Sequence, residues 1–211
     1  MIKDFWHQSD NYGDKLTPYF LDKLGIKYEY VDKGCQEEHY IICGSILSAC
    51  NEHSIIWGAG LAQEYPLVKP KKICAVRGWV TAFMTGAHKD LETPLVFGDI
   101  AELLPLIYSP PFEKTRVVGF VPHYIEYKGE GCDLLQPVEK TIDYILSCEK
   151  IITSSLHAFL TARAYGVEVE FYKSNNVIGQ ELKIEDALSY TPNTKMFLSV
   201  CPIEEIKQKL L

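Results

Sequence analysis

Cys148-Glu149-Lys150-Ile151-Ile152-Thr153-Ser154-Ser155-Leu156-His157-Ala158-Phe159-Leu160-Thr161-Ala162-Arg163-Ala164-Tyr165-Gly166-Val167 reads as a strand, a hydroxyl-rich turn and a helix. Ile151 and Ile152 end the strand, and Thr153, Ser154 and Ser155 are each able to cap the helix that follows. Leu156, Phe159, Leu160 and Ala164 recur at helical spacing, and Gly166 suits the left-handed position just past a helix end. His157 falls in the first turn, beside N–H groups that the helix itself leaves unpaired, which outlines an anion-binding corner. A strand, two serines and a helix also make an ordinary join in an α/β protein, so both readings stand at this point.

The same punctuation recurs on either side. Residues 2–7 read as a first strand that ends in the polar turn Ser9-Asp10-Asn11-Tyr12-Gly13-Asp14. Thr17 as cap and Pro18 at the first helical position predict a short helix over 19–24, closed by Gly25. Short apolar runs follow at 28–31, 40–43, 55–57 and 73–76, each ended by small or polar residues: Gly44-Ser45, Gly58-Ala59-Gly60 and Arg77-Gly78 among them. Runs of three to five apolar residues without alternation point to a parallel sheet buried on both faces. A helix over 78–87, a strand at 95–97 and a brief helix over 100–104, stopped by Pro105, complete a first α/β series.

Pro110-Pro111 then forbids helix and stiffens the chain, which sets residues 110–114 as a linker between a lobe of 1–109 and a lobe of 115–211. The second lobe repeats the theme: strand 116–121, helix 137–147, strand 150–153, helix 155–165 and strand 167–172. Two α/β lobes on a stiff hinge place a ligand in the cleft between them, at the C-terminal ends of the strands.

Composition narrows the function classes. The 47% hydrophobic and 23% charged fractions are those of a soluble globular protein. A net charge of -7 argues against a nucleic-acid partner. Neither an apolar run of membrane-spanning length nor the layout of a signal peptide is present, so a cytoplasmic location is expected. Seven cysteines form no C-x-x-C pair, and several sit in apolar runs such as Ile41-Ile42-Cys43, so they read as buried free thiols with no metal expected.

Asn11-Tyr12-Gly13-Asp14, Gly44-Ser45-Ile46-Leu47, Trp57-Gly58-Ala59-Gly60, Val76-Arg77-Gly78, Gly98-Asp99, Val121-Pro122-His123-Tyr124 and Ile152-Thr153-Ser154-Ser155-Leu156-His157-Ala158 follow one another in the order found in the polysaccharide pyruvyl transferase family, which this chain resembles. Leu182-Lys183-Ile184-Glu185-Asp186-Ala187-Leu188-Ser189 resembles a degenerate form of that family's C-terminal motif. The resemblance implies a two-lobed α/β fold of glycosyltransferase-B type. It also implies phosphoenolpyruvate as donor, a saccharide as acceptor (a lipid-linked glycan met at the membrane surface included) and a pyruvate ketal as product, with no cofactor. Two departures stand out: Ile100 follows Gly98-Asp99 where the family usually has proline, and the chain is shorter than most members.

Phosphoenolpyruvate carries a phosphate and a carboxylate, so its site requires cations and N–H donors. Arg77, at a strand end, is the first candidate because its planar fork holds either group in two bonds. Its alternative is an ion pair. His157 is the candidate for binding phosphate as imidazolium or donating the proton that turns the methylene carbon into a methyl group. Ser154 and Ser155 are candidates for holding the same anion, or are plain caps. Asp14 is a candidate for orienting or deprotonating an acceptor hydroxyl, with Asn11 and Gly13 shaping its loop. Gly44, Ser45, Gly58 and Gly60 would let backbone approach the ligand or simply make tight strand-to-helix turns, Asp99 is a substrate-binding candidate or a plain cap, and His123 would face the cleft. A nucleotide-sugar glycosyltransferase on the same scaffold, or a non-catalytic relative, is the alternative function.

Overall fold

Parallel strands separated by helices are what the apolar runs become. The structure, a computed structural model, describes residues 1–64, 69–89 and 95–211. In chain order the elements are β1 (Ile2–Asp4), α1 (Tyr12–Lys23), β2 (Tyr28–Tyr30), β3 (His39–Ile41), β4 (Ser54–Trp57), β5 (Lys72–Ala75), α2 (Trp79–Thr85) and α3 (Leu104–Ile107). The second half holds β6 (Arg116–Val121), α4 (Val138–Leu146), β7 (Cys148–Thr153), α5 (Leu156–Ala164), β8 (Glu168–Phe171), α6 (Gln180–Leu188), α7 (Thr194–Ser199) and α8 (Glu204–Leu210). The first sheet runs β2-β1-β3-β4-β5 and the second β6-β7-β8, and every pairing in both is parallel.

Three local expectations change. The helix predicted over 19–24 starts instead at Tyr12, because the Asn11 carbonyl accepts N–H bonds from Asp14 and Lys15. Thr17 is therefore no cap, and Pro18 lies inside α1, where it removes one helical donor. The helix holds because Tyr12, Leu16 and Phe20 form one fully buried stripe, whose packing outweighs the local defect. Pro105 lies in the first turn of α3 rather than stopping a helix, since its missing N–H is an orphan there. The strand at 95–97 shrinks to a single bridge between Val76 and Phe97.

Burial on both faces holds for β4, all four residues of which are buried. It does not hold for β6, where Gly119 and Val121 face inward while Val118 and Phe120 are exposed. At the centre lies α5, with Leu156 to Ala162 buried without interruption, as befits a helix enclosed on all sides. It touches α1, α4, α6, β7 and β8 together.

Residues 111–114 are exposed and without regular structure between α3 and β6. After β8 the chain returns to the first sheet. There Phe197 of α7 stacks on Trp57 at 4.6 Å between ring centres, and Trp57 Nε1 donates to the Phe197 carbonyl at 3.0 Å. A single apolar core accordingly includes Tyr12 and Trp57 beside the first sheet, and Val121, Ile151 and Phe159 beside the second. Among the described residues no helix is long and apolar enough to cross a membrane.

Phe197→Ala would open a large void against Trp57 and is expected to destabilise the fold by about 3–5 kcal/mol in denaturant unfolding. A loss below about 1 kcal/mol would show that α7 does not hold the first sheet.

Candidate functional site

The C-terminal ends of strands from both sheets meet around one cavity of about 220 Å³, lined by Asn11, Asp14, Ser45, His123, Ser154, Ser155, His157 and Lys183 among others. Each arrives from a strand end or the helix after it, where open α/β sheets bind ligands. Ser155 is the residue that caps α5, accepting from the Ala158 N–H at 3.4 Å. Thr153 instead donates to the Val121 carbonyl at 2.6 Å and accepts the Ser155 N–H at 3.0 Å, locking the cap to β6. Ser154 donates to Glu126 at 2.5 Å and accepts the His123 N–H at 2.9 Å, so its hydroxyl is already committed. Burial alone would raise the pKa of Glu126, but the hydroxyls of Ser154, Ser174 and Tyr172 hold it below the usual glutamate value.

His157 packs against α1 so closely that a Cβ on Gly13 would stand 2.1 Å from its Nδ1. The ring's seat is fixed from behind: Thr161 donates to the His157 carbonyl at 2.7 Å and meets the Tyr12 hydroxyl at 2.8 Å. Burial pushes the His157 pKa down, with Arg77 and Lys183 adding to the effect against the pull of Asp14. The direction favours the neutral imidazole, which weighs against the imidazolium alternative for binding phosphate. His123 is lowered likewise, to about 4, by burial and by Lys183, and its Nδ1 has no hydrogen-bond partner among the described residues. Asp14 accepts from Ser9 at 2.6 Å and from Asn11 Nδ2 at 3.3 Å, while Asn11 Oδ1 is buried without a partner among the described residues.

Arg77 is not on the cavity wall. It is fully buried, with Nε donating to Asp186 Oδ2 at 2.9 Å, Nη1 to Ser45 Oγ at 2.6 Å and Nη2 to the Leu61 carbonyl at 2.8 Å. Asp186 also takes the Thr81 N–H and hydroxyl. The guanidinium therefore cannot grip a ligand with both prongs, and neither is it a surface ion pair. Its effect on the cavity passes through Ser45, whose oxygen it occupies so that the hydroxyl proton is free to point elsewhere.

The glycines also serve the protein's own side chains. A Cβ on Gly60 would lie 2.4 Å from the Arg77 guanidinium carbon, just as one on Gly13 would strike His157. Gly44 and Gly58 turn the chain after β3 and β4 at φ 97 and 103, and none of these four glycines lines the cavity. Asp99 does not line it either: Oδ1 caps the turn that follows by accepting the Ala101 N–H at 2.9 Å, and burial raises its pKa to about 6.

Sequence reasoning missed Lys183. It sits on α6 inside the quoted motif 182–189, and only the fold shows that it reaches the cavity. Its ammonium makes no hydrogen bond or ion pair with another side chain among the described residues. Burial, aided by Arg77 and opposed by Asp14, lowers its pKa to about 8. A partly desolvated cation of this kind is chemically suited to pair with a small anion.

No protein-family model matches the chain. An uncharacterised protein of Acanthamoeba polyphaga mimivirus is 26% identical over 220 residues, covering 94% of this chain and 74% of that relative. Among solved structures, a functionally uncharacterised protein of Klebsiella pneumoniae superposes with a TM-score of 0.50 at 14% identity, covering 90% of this chain and 88% of that one. That likeness is one of fold, a Rossmann-like α/β arrangement with two parallel sheets.

Asp186→Ala leaves the Arg77 charge buried and unpaired, which is expected to cost about 3–5 kcal/mol of stability. A thermal or denaturant midpoint unchanged from wild type would show that the pair does not bear on the fold.

Proposed function

We propose that this chain is a pyruvyl transferase that moves pyruvate from phosphoenolpyruvate onto two hydroxyls of a saccharide. In this reading the scaffold is of glycosyltransferase-B type, 1–109 and 115–211 act as lobes about residues 110–114, and the cavity is their ligand cleft. The observation that carries the proposal is Lys183, a cation without a side-chain partner among the described residues, in a cavity also lined by Ser45, Ser155 and two neutral histidines. A volume of about 220 Å³ favours a small anion over a nucleotide sugar, since sites for drug-sized ligands hold roughly 300–1,000 Å³.

Each residue then has a task. Lys183 neutralises the donor anion, and its lowered pKa suits it to deliver a proton to the methylene carbon. The hydroxyl of Ser45, its oxygen held by Arg77, and the N-terminal N–H groups of α5 behind Ser155 hold the phosphate or carboxylate. His123 adds a neutral N–H donor. Once the methylene carbon is protonated, C2 becomes oxocarbenium-like and a sugar hydroxyl attacks it, passing its proton to Asp14. The C2–O bond to phosphate breaks as the second hydroxyl closes the ring, and phosphate leaves with that hydroxyl's proton.

Lys183→Met is expected to lower kcat/KM for phosphate release by at least tenfold, about 1.4 kcal/mol of transition-state stabilisation. Release itself should require a saccharide acceptor. Thermal-shift stabilisation by a nucleotide sugar with no response to phosphoenolpyruvate would overturn the reading.

The pH dependence follows from the same cation, which faces Asp14, Arg77, His123 and His157. The ammonium form prevails below about 8 and is lost above it. Phosphoenolpyruvate affinity, measured by calorimetry, should therefore fall as pH rises through that value. In Lys183→Arg the fall should vanish, because guanidinium keeps its charge.

A further inference from the structure

Behind the cavity wall, three buried side chains converge that the transferase scheme leaves largely idle. Cys43 follows β3, Asp99 opens the turn after the Val76–Phe97 bridge, and His157 stands in the first turn of α5. Their exposures are 3%, 0% and 9%. Cys43 Sγ lies 3.5 Å from His157 Nε2 and 3.7 Å from Asp99 Oδ1, and His157 Nε2 lies 3.8 Å from Asp99 Oδ2. This is the one group of His, Cys, Asp and Glu side chains among the described residues whose ligand atoms all lie within 4.8 Å of one another.

We propose that Cys43, Asp99 and His157 form a three-ligand zinc site that ties the first sheet to α5. Both sulfur contacts have the length of thiol hydrogen bonds, but at 3.8 Å the imidazole and carboxylate are beyond the roughly 2.7–3.2 Å of an N–H···O bond. A tetrahedral ion with bonds of about 2.3 Å to sulfur and 2.0–2.2 Å to nitrogen and oxygen instead requires donor separations of roughly 3.4–3.6 Å. The sulfur–nitrogen separation of 3.5 Å matches this, and the carboxylate stands slightly further out, with Oδ1 at 3.7 Å from the sulfur and Oδ2 at 3.8 Å from the nitrogen.

A second observation points to the same place. Asp99 Oδ2 is buried with no hydrogen-bond partner among the described residues, while Oδ1 is held by the Ala101 N–H. One oxygen is thus oriented by the backbone and the other is left for a cation.

The donor set selects the metal. Sulfur, imidazole nitrogen and one carboxylate oxygen suit zinc, whereas magnesium and calcium take oxygen alone. Binding converts the Cys43 thiol to thiolate and releases its proton to solvent. Three protein donors leave a coordination position for water or an anion, and His157 places the ion directly behind the cavity wall. The proposal goes beyond pyruvyl transfer and would stand if that reading failed, because its test uses no phosphoenolpyruvate.

The test is Co2+ titration of the 211-residue chain, reduced, stripped with chelator and never exposed to an affinity metal. We expect saturation at a single Co2+ per chain, with the thiolate-to-cobalt charge-transfer band and the intense visible bands of a tetrahedral ion, all abolished by excess Zn2+. Cys43→Ser should lose the charge-transfer band, and Cys201→Ser, which changes another buried thiol, should keep it. Should Cys43→Ser fail to fold, X-ray absorption of the zinc-loaded wild type decides. One sulfur at about 2.3 Å with nitrogen and oxygen at about 2.0–2.2 Å supports the site. No saturable Co2+ uptake by the wild type, a charge-transfer band that survives in folded Cys43→Ser, or a shell without sulfur would overturn it.

Discussion

The ion pair between Arg77 and Asp186 is the joint on which the candidate site depends. Both side chains have no exposure, and the carboxylate also accepts two bonds from Thr81. The pair fastens α6, which carries Lys183, to the strand end that carries Arg77, and the same guanidinium fixes the Ser45 hydroxyl. Burying two charges is costly, and a well-packed apolar pair would often serve stability as well. What it secures here is geometry, since a displaced α6 would carry the cavity's cation away with it.

The cavity gains its chemical character from desolvation. Both histidines on its wall are driven toward the neutral form, and the lysine toward a pKa near the working pH of most enzymes. The first sheet contributes Asn11, Asp14 and Ser45, and the second contributes His123, Ser154, Ser155 and His157. Beneath them, α5 is buried from Leu156 to Ala162 and packs against α1, α4, α6, β7 and β8. A zinc ion on Cys43, Asp99 and His157 would add a covalent tie at the same point.

Much of the fold was legible because parallel strands buried in a sheet leave short apolar runs, and turns after them demand small or polar residues. The runs ending at Cys43, Trp57 and Val76 and the strand–helix join at residues 151–165 are of this kind. Pro18 and Pro105 misled in opposite ways, since a proline reads as a boundary and only tertiary packing decides which side of it the helix occupies. Among the helices after residue 172, α6 is placed by Asp186 meeting Arg77 and α7 by Phe197 meeting Trp57, both contacts between distant residues.

The site was legible by residue more than by role. Asp14, Ser45, His123, Ser155 and His157 reach the cavity, but Arg77 holds Ser45 and Asp186, Gly13 and Gly60 make room for neighbouring side chains, and Gly44 and Gly58 turn the chain. Lys183 escaped notice because an isolated lysine on a helix is usually a solvated one, and nothing local reveals that it is half-buried in a cavity wall. The trio of residues 43, 99 and 157 has no spacing signature at all. The most direct test of the cavity as an anion receptor is a crystal structure of the chain soaked with phosphoenolpyruvate. The donor's phosphate or carboxylate oxygens should lie within hydrogen-bond distance of Lys183 Nζ and Ser45 Oγ. Donor bound elsewhere on the surface, with Lys183 turned away from an empty cavity, would contradict the account.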